Sequence, residues 1–102
     1  MFTIKKLNNH IDNFLLELKH GGYHVTKAIL FGSYANGNVH EHSDIDLAIW
    51  ADEFYENTDN SRNIASIISK FYPIQAKLYH ACENNDPFIE IIEKTGREIQ
   101  LN

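Results

Sequence analysis

The chain has 102 residues with a formal net charge of −5, from nine Lys and Arg against fourteen Asp and Glu, and its length suits a single domain over residues 1–102. The negative charge argues against direct binding of nucleic acid, whose phosphates attract clustered cations, and no apolar run approaches the length of a membrane span. The single Cys82 excludes an internal disulfide and, without a secretory signal, predicts a cytoplasmic protein.

Hydrophobic spacing predicts the elements of the first half of the chain. Apolar residues recur at helical spacing over residues 4–18, and the glycine pair at residues 21–22 predicts the end of that helix. The apolar run over residues 25–31 predicts a buried strand that enters a tight turn at Gly32-Ser33. One or two helical turns then follow before residue 38.

The second half begins with residues 44–50, whose alternating apolar and polar side chains predict a half-buried strand. Beyond it we predict a helix over residues 58–70 with Thr58 or Asp59 as N-cap, a strand over 74–80, a helix over 87–95 and a short terminal strand near 99–101. This order predicts an α/β (α+β) fold, a small mixed β-sheet with helices on one face.

The Gly32-Ser33 turn is a candidate nucleotide-binding element. It lies where a strand meets a helix, and the free N–H groups at a helix N-terminus attract anions. Gly32 lacks a Cβ, so a phosphate can approach the backbone, and Ser33 adds a hydroxyl donor. Because many turns contain Gly-Ser, this pair alone is a weak indication.

Asp44 and Asp46 are candidate catalytic residues and metal ligands. They stand two residues apart on a predicted strand, so their carboxylates share one face with Cα atoms about 6.6 Å apart. Like charges so placed repel unless a cation lies between them, and Mg²⁺ prefers carboxylate oxygens together with substrate phosphates. The alternative is structural: Asp44 caps a turn and Asp46 is simply solvated.

Together the two motifs resemble those of the minimal nucleotidyltransferases of the DNA polymerase beta superfamily. Residues 31–37 read Phe-Gly-Ser-Tyr-Ala-Asn-Gly and residues 43–47 read Ser-Asp-Ile-Asp-Leu, and the resemblance extends over nearly the whole chain. It implies the nucleotidyltransferase fold and transfer of AMP from ATP to a hydroxyl, with release of pyrophosphate. It further implies that Gly32 and Ser33 hold the β- and γ-phosphates while Asp44 and Asp46 bind two Mg²⁺ ions.

Two positions depart from the family's pattern. The third carboxylate of the family, expected on the neighbouring strand, falls on Gln75, which is neutral and cannot act as a general base. Lys77 adds positive charge on the same face, and Asn36 stands where relatives often carry Arg or Lys. Gln75 remains a candidate catalytic position, but Gln75 and Lys77 weaken the case for two metal ions and leave a single Mg²⁺ brought in with ATP, whereas Asn36 is expected to lower affinity for phosphate or for a partner.

The sequence leaves two functions open. The first is an Mg²⁺-dependent adenylyltransferase that Gln75 slows without abolishing, and the second is a catalytically impaired homologue that binds nucleotide or a partner protein. In either case the resemblance implies a partner, a small helical protein of the HEPN type (higher eukaryotes and prokaryotes nucleotide-binding). In such pairs the helical subunit is a toxic ribonuclease, and an acidic antitoxin chain suits the covering of a basic surface.

Overall fold

The computed structural model of this chain describes residues 3–40, 43–55 and 61–101. Within these ranges the elements are α1 (Ile4–His20), β1 (Val25–Phe31), α2 (Ser33–Asn36), β2 (Ile45–Ala51), α3 (Ser61–Lys70), β3 (Ile74–His80), α4 (Pro87–Thr95) and β4 (Arg97–Glu98). The candidate N-caps of α3, Thr58 and Asp59, lie outside the described residues. None of the helices in the described ranges combines the length and the apolar character that a membrane crossing requires.

The strands of the described residues form one mixed sheet in the order β3-β2-β1-β4. β2 runs antiparallel to β1 and parallel to β3, and β4 runs antiparallel to β1. The parallel pair needs a crossover, and α3 supplies it between β2 and β3. The predicted α/β class with a small mixed sheet is confirmed.

β4 begins two residues before the predicted terminal strand at 99–101. Pairing starts directly after α4 because Gly96 packs closely on β1, where an added Cβ would lie only 2.5 Å from Cγ2 of Ile29. The backbone continues beside β1 beyond β4, since the N–H of Ile99 donates to the carbonyl of Ala28 at 2.8 Å. The terminal strand therefore exists, but it begins earlier than predicted.

The helices cover both faces of the sheet, which corrects the prediction that they lie on one face. α1 and α3 cover the face that carries Leu30, Ile45, Leu47, Ile49 and Ile74. α4 covers the opposite face, which carries Ile29, Ala48, Trp50 and Tyr79. β2 is consequently buried on both faces beyond Asp46, and the prediction of a half-buried strand is wrong for Ala48.

The start of α4 is attached to β3 by a polar cluster. Asp86 is the N-cap, and its carboxylate accepts a hydrogen bond from the N–H of Phe88 at 2.9 Å. The hydroxyl of Tyr79 on β3 donates to the other oxygen of Asp86 at 3.2 Å. The Tyr79 ring also stacks on Trp50 with ring centroids 5.0 Å apart. These contacts fix where α4 begins on its face of the sheet.

Because of this cluster, we expect the free energy of unfolding to fall at alkaline pH. Burial, with the carboxylate of Asp86 beside it, raises the pKa of Tyr79 to about 12. Because the folded pKa lies above the unfolded one, the contribution of Tyr79 to the free energy of unfolding is present below pH ~10 and is lost as pH rises toward the folded pKa. We expect the stability difference between wild type and Tyr79→Phe, measured by urea unfolding, to shrink by up to about 2 kcal/mol over that interval. Parallel pH profiles for the two proteins would contradict the assignment.

Candidate active site

The turn between β1 and α2 requires glycine at position 32. Gly32 has φ 73° and ψ −150°, a backbone conformation that residues with a Cβ rarely adopt. In addition, a Cβ added to Gly32 would overlap the carboxylate of Asp46 on β2. The neighbouring Phe31 is the register partner of Asp46, which explains this contact. The structure therefore brings the candidate phosphate turn and one candidate metal ligand together.

Ser33 begins α2, so the turn leads into a short helix as predicted. The carbonyl oxygen of Gly32 accepts hydrogen bonds from the N–H groups of Ala35 and Asn36 at 3.0 and 3.1 Å. Gly37 ends the helix in the left-handed conformation with φ 83°. Because the N–H groups of a first helical turn carry partial positive charge, Gly32-Ser33 presents a surface that suits an anion.

Asp44 and Asp46 lie close enough to interact. β2 begins at Ile45, so Asp44 stands just before the strand rather than within it as predicted. Asp44 is exposed and Asp46 is half-buried. Burial raises the pKa of Asp46, and the negative charge of Asp44 raises it further. A cation shared by the two carboxylates would relieve this repulsion, so the pair fits a hard divalent ion such as Mg²⁺.

Ser43 fixes the loop that leads into Asp44, a role that the sequence analysis missed. Ser43 is only 7% exposed, and its hydroxyl oxygen accepts a hydrogen bond from the N–H of His40 at 2.8 Å. Its own N–H donates to the carbonyl of His40 at 3.0 Å. The signal for this role was the serine of the Ser-Asp-Ile-Asp-Leu motif itself, since serine side chains commonly close turns on the backbone.

Gln75 is the direct register partner of Asp46 across the parallel β2–β3 pair. Side chains at paired positions point to the same face, with the strands about 4.8 Å apart. Gln75 is exposed, and its amide offers one acceptor oxygen and two N–H donors but no charge. A neutral side chain thus stands beside Asp46 at the position where the resemblance implies the third carboxylate.

The chain matches a family of known proteins over most of its length. The family described as "Polymerase beta, Nucleotidyltransferase" matches residues 9–101. The chain belongs to the polymerase beta nucleotidyltransferase family. This finding confirms the resemblance and the nucleotidyltransferase fold predicted from residues 31–47, and it makes the chain a nucleotidyltransferase by family.

One relative is a protein of Methanocaldococcus jannaschii named "Putative protein adenylyltransferase MJ1305". The two sequences are 48% identical over 48 residues, a stretch that covers 46% of this chain and 33% of the relative. The match therefore spans about a third of the relative's length, and the activity in its name describes that protein.

Two phenylalanine side chains and one lysine border the nucleotidyltransferase site on the side where α4 begins. We call Phe31, Phe88 and Lys77 the rim. The rings of Phe31 and Phe88 meet edge to face with centroids 5.8 Å apart, and the ammonium of Lys77 lies 5.3 Å from the Phe88 ring centroid. The sequence analysis placed Lys77 on the same face as Gln75, but it gave no local signal for Phe31 and Phe88, because the rim residues come from three elements that meet only in the folded chain.

A second group of potential metal ligands lies far from this site. His24, Asp52 and Glu53 place their ligand atoms within 4.8 Å of one another. They adjoin the pairing of Val25 with Ala51, at the opposite end of β1 and β2 from Asp46. The Nδ1 atom of His24 already pairs with Glu53 at 2.7 Å. This group is therefore separate from the nucleotidyltransferase site.

The contact of Gly32 with Asp46 predicts an unusually costly glycine substitution. Gly32→Ala combines an unfavourable φ with overlap on the Asp46 carboxylate, so we expect it to lower the free energy of unfolding by about 2–4 kcal/mol. Gly22→Ala is the matched control, because Gly22 also has a positive φ but an added Cβ would meet no atom within 4 Å. Urea unfolding checks the difference, and equal losses in the two variants would show that the contact is unimportant.

Proposed function

We propose that this chain is an Mg²⁺-dependent adenylyltransferase that transfers AMP from ATP to a hydroxyl of a protein partner. The observation that carries the proposal is the contact between Gly32 and the carboxylate of Asp46. A triphosphate bound at the Gly32-Ser33 turn and a cation bound by Asp44 and Asp46 would be neighbours. Nucleotidyl transfer needs this arrangement, because the metal neutralises phosphates that the protein must also hold in position.

Each residue of the site has a distinct part in this proposal. The backbone at Gly32 and the hydroxyl of Ser33 bind the β- and γ-phosphates, and Asp44 and Asp46 hold Mg²⁺. When bound, Mg²⁺ would neutralise the charge of the phosphates and of the pyrophosphate that leaves. The acceptor oxygen forms a bond to the α-phosphorus while the bond to the bridging oxygen breaks and pyrophosphate leaves. Gln75 has no basic oxygen, so the proton of the acceptor passes to water.

The proposed acceptor is a hydroxyl on a small helical HEPN-type partner that this chain neutralises as an antitoxin. The relative from Methanocaldococcus jannaschii supports a protein acceptor, since its name describes a protein adenylyltransferase. The net charge of −5 supports a partner with a basic surface, and it argues against direct contact with nucleic acid. A cytoplasmic location is part of the same proposal.

A second function is favoured by one observation, the neutral Gln75 beside Asp46. If the missing carboxylate abolishes transfer, the chain acts as a nucleotide-binding or partner-binding antitoxin subunit without catalysis. Such a subunit keeps the Gly32 turn and the two aspartates for ATP, and it neutralises the partner by covering it. The two functions differ only in whether AMP becomes covalently attached to the partner.

The nucleotide site can be tested by calorimetric titration with ATP and Mg²⁺. We expect Asp46→Asn to weaken binding of ATP in the presence of Mg²⁺ at least about tenfold, a loss of about 1.4 kcal/mol, because the variant removes a metal-binding carboxylate. Asp12→Asn is the matched control, since Asp12 is exposed on α1 and the variant makes the same change of charge. Unchanged affinity in Asp46→Asn would remove the proposed site.

The transfer step can be tested with ATP labelled at the α-phosphate and the helical partner purified with the chain. We expect slow labelling of the partner by wild type and at least about tenfold faster labelling by Gln75→Glu, which restores a carboxylate beside Asp46. Gln100→Glu is the matched control for the charge, because Gln100 lies in the segment after β4.

The outcomes of this labelling experiment separate the two functions. No labelling by wild type or by Gln75→Glu, together with co-elution of the chain and its partner in size-exclusion chromatography, supports the antitoxin that acts by binding. If the partner is not labelled and also does not co-elute with the chain, both functions are contradicted.

A further inference from the structure

In the described part of the chain, the negative charges next to Asp46 are fewer than two divalent ions require. Its register partners are Phe31 on β1 and Gln75 on β3, and neither carries a charge. Among the residues that the structure describes, the carboxylate beside it is Asp44, which stands just before β2. Magnesium depends on hard anionic oxygens for much of its binding energy. Two carboxylates and a triphosphate supply enough anionic oxygen ligands for one ion. On the side of Asp46 that faces Gln75, the ligand is the neutral amide of Gln75.

Lys77 is a cationic residue on the same strand as the neutral Gln75. Lys77 is two residues beyond Gln75 on β3, so both side chains lie on the same face of the sheet. Its ammonium lies 5.3 Å from the ring centroid of Phe88 and 5.7 Å from that of Tyr79. Attraction between the cation and these two aromatic rings keeps the ammonium near the start of α4, on the face of the sheet that also carries Gln75.

The charge of Lys77 is only weakly neutralised by its own partner. Its Nζ atom is 4.0 Å from Oδ2 of Asp86, the outer limit for an ion pair. That carboxylate also accepts hydrogen bonds from Tyr79 and from the N–H of Phe88, so its negative charge is shared among three groups. The side chain of Lys77 is 43% exposed, so water screens part of its charge, and the rest is a positive charge on the face of the sheet that carries Gln75. A second divalent cation at Gln75 would be repelled by it.

We infer that this site binds a single divalent cation with each nucleotide, and that the Gln75 side of the site, bordered by Lys77, binds none. This inference rests on the proposed function, because it concerns the metal that accompanies ATP. It departs from the two ions implied by the family resemblance, and it assigns to Lys77 the exclusion of the second ion. The acceptor then meets a neutral amide and an ammonium group where the resemblance implies a metal-bound carboxylate.

The number of bound ions can be counted directly with Mn²⁺ and α,β-methylene ATP, an analogue that does not transfer AMP. The free Mn²⁺ signal in electron paramagnetic resonance gives the stoichiometry without any measurement of activity. We expect one Mn²⁺ per chain in wild type and two in the double variant Gln75→Glu/Lys77→Met. In Gln75→Glu alone the second ion should bind at least about tenfold more weakly than in the double variant, because Lys77 still repels it.

Matched controls separate this local effect from a change of net charge. Gln100→Glu/Lys94→Met makes the same two changes elsewhere, at a residue after β4 and at a lysine paired with Glu90 on α4. We expect this control to bind one Mn²⁺, like wild type. Circular dichroism before each titration verifies that the variants fold.

The possible results distinguish this inference from the proposed function. Two ions in wild type, or one ion in Gln75→Glu/Lys77→Met, would overturn the inference while leaving nucleotide binding intact. Equal affinity for the second ion in the single and double variants would overturn the role of Lys77. Failure of wild type to bind the analogue with Mn²⁺ would contradict the proposed function and, with it, this inference.

Discussion

The close approach of Gly32 to the carboxylate of Asp46 is the constraint on which the nucleotidyltransferase site depends. This contact brings a turn that can bind phosphate next to a side chain that can bind a metal ion, although Gly32 and Asp46 are fourteen positions apart in sequence. The antiparallel register that pairs Phe31 with Asp46 creates this approach. A shift of that register by one residue would turn Asp46 to the other face of the sheet and separate the two parts.

The packing of α4 decides which part of this sheet face stays open. Ile89 and Ile92 bury the face over Ala48, and the helix begins at Pro87 because Asp86 caps it and binds Tyr79. The row that contains Asp46 and Gln75 lies beyond the apolar cluster under α4, so Asp46 is half-buried and Gln75 is exposed. The same helix start positions Phe88, and with it Lys77, at the border of the site. The start of α4 therefore both contributes to stability and limits the open part of the site.

Family membership and the geometry of the site establish different things. The family match over residues 9–101 makes the chain a polymerase beta nucleotidyltransferase, whereas the match to the Methanocaldococcus jannaschii protein spans a third of that protein. The two proposed functions differ in the effect that they assign to the neutral side chain beside Asp46. Gln75 has nearly the shape of glutamate but lacks its charge.

The sequence alone determined the features that depend on local spacing. The two-residue separation of Asp44 and Asp46, the Gly32-Ser33 turn and the strand at residues 74–80 follow from the period of a strand and the chemistry of glycine. Only the tertiary structure decided that α4 covers the opposite face, that Ala48 is buried and that Phe88 borders the site. The physical reason is that burial on a second face requires a helix from elsewhere in the chain, and a local pattern does not specify which helix will pack there.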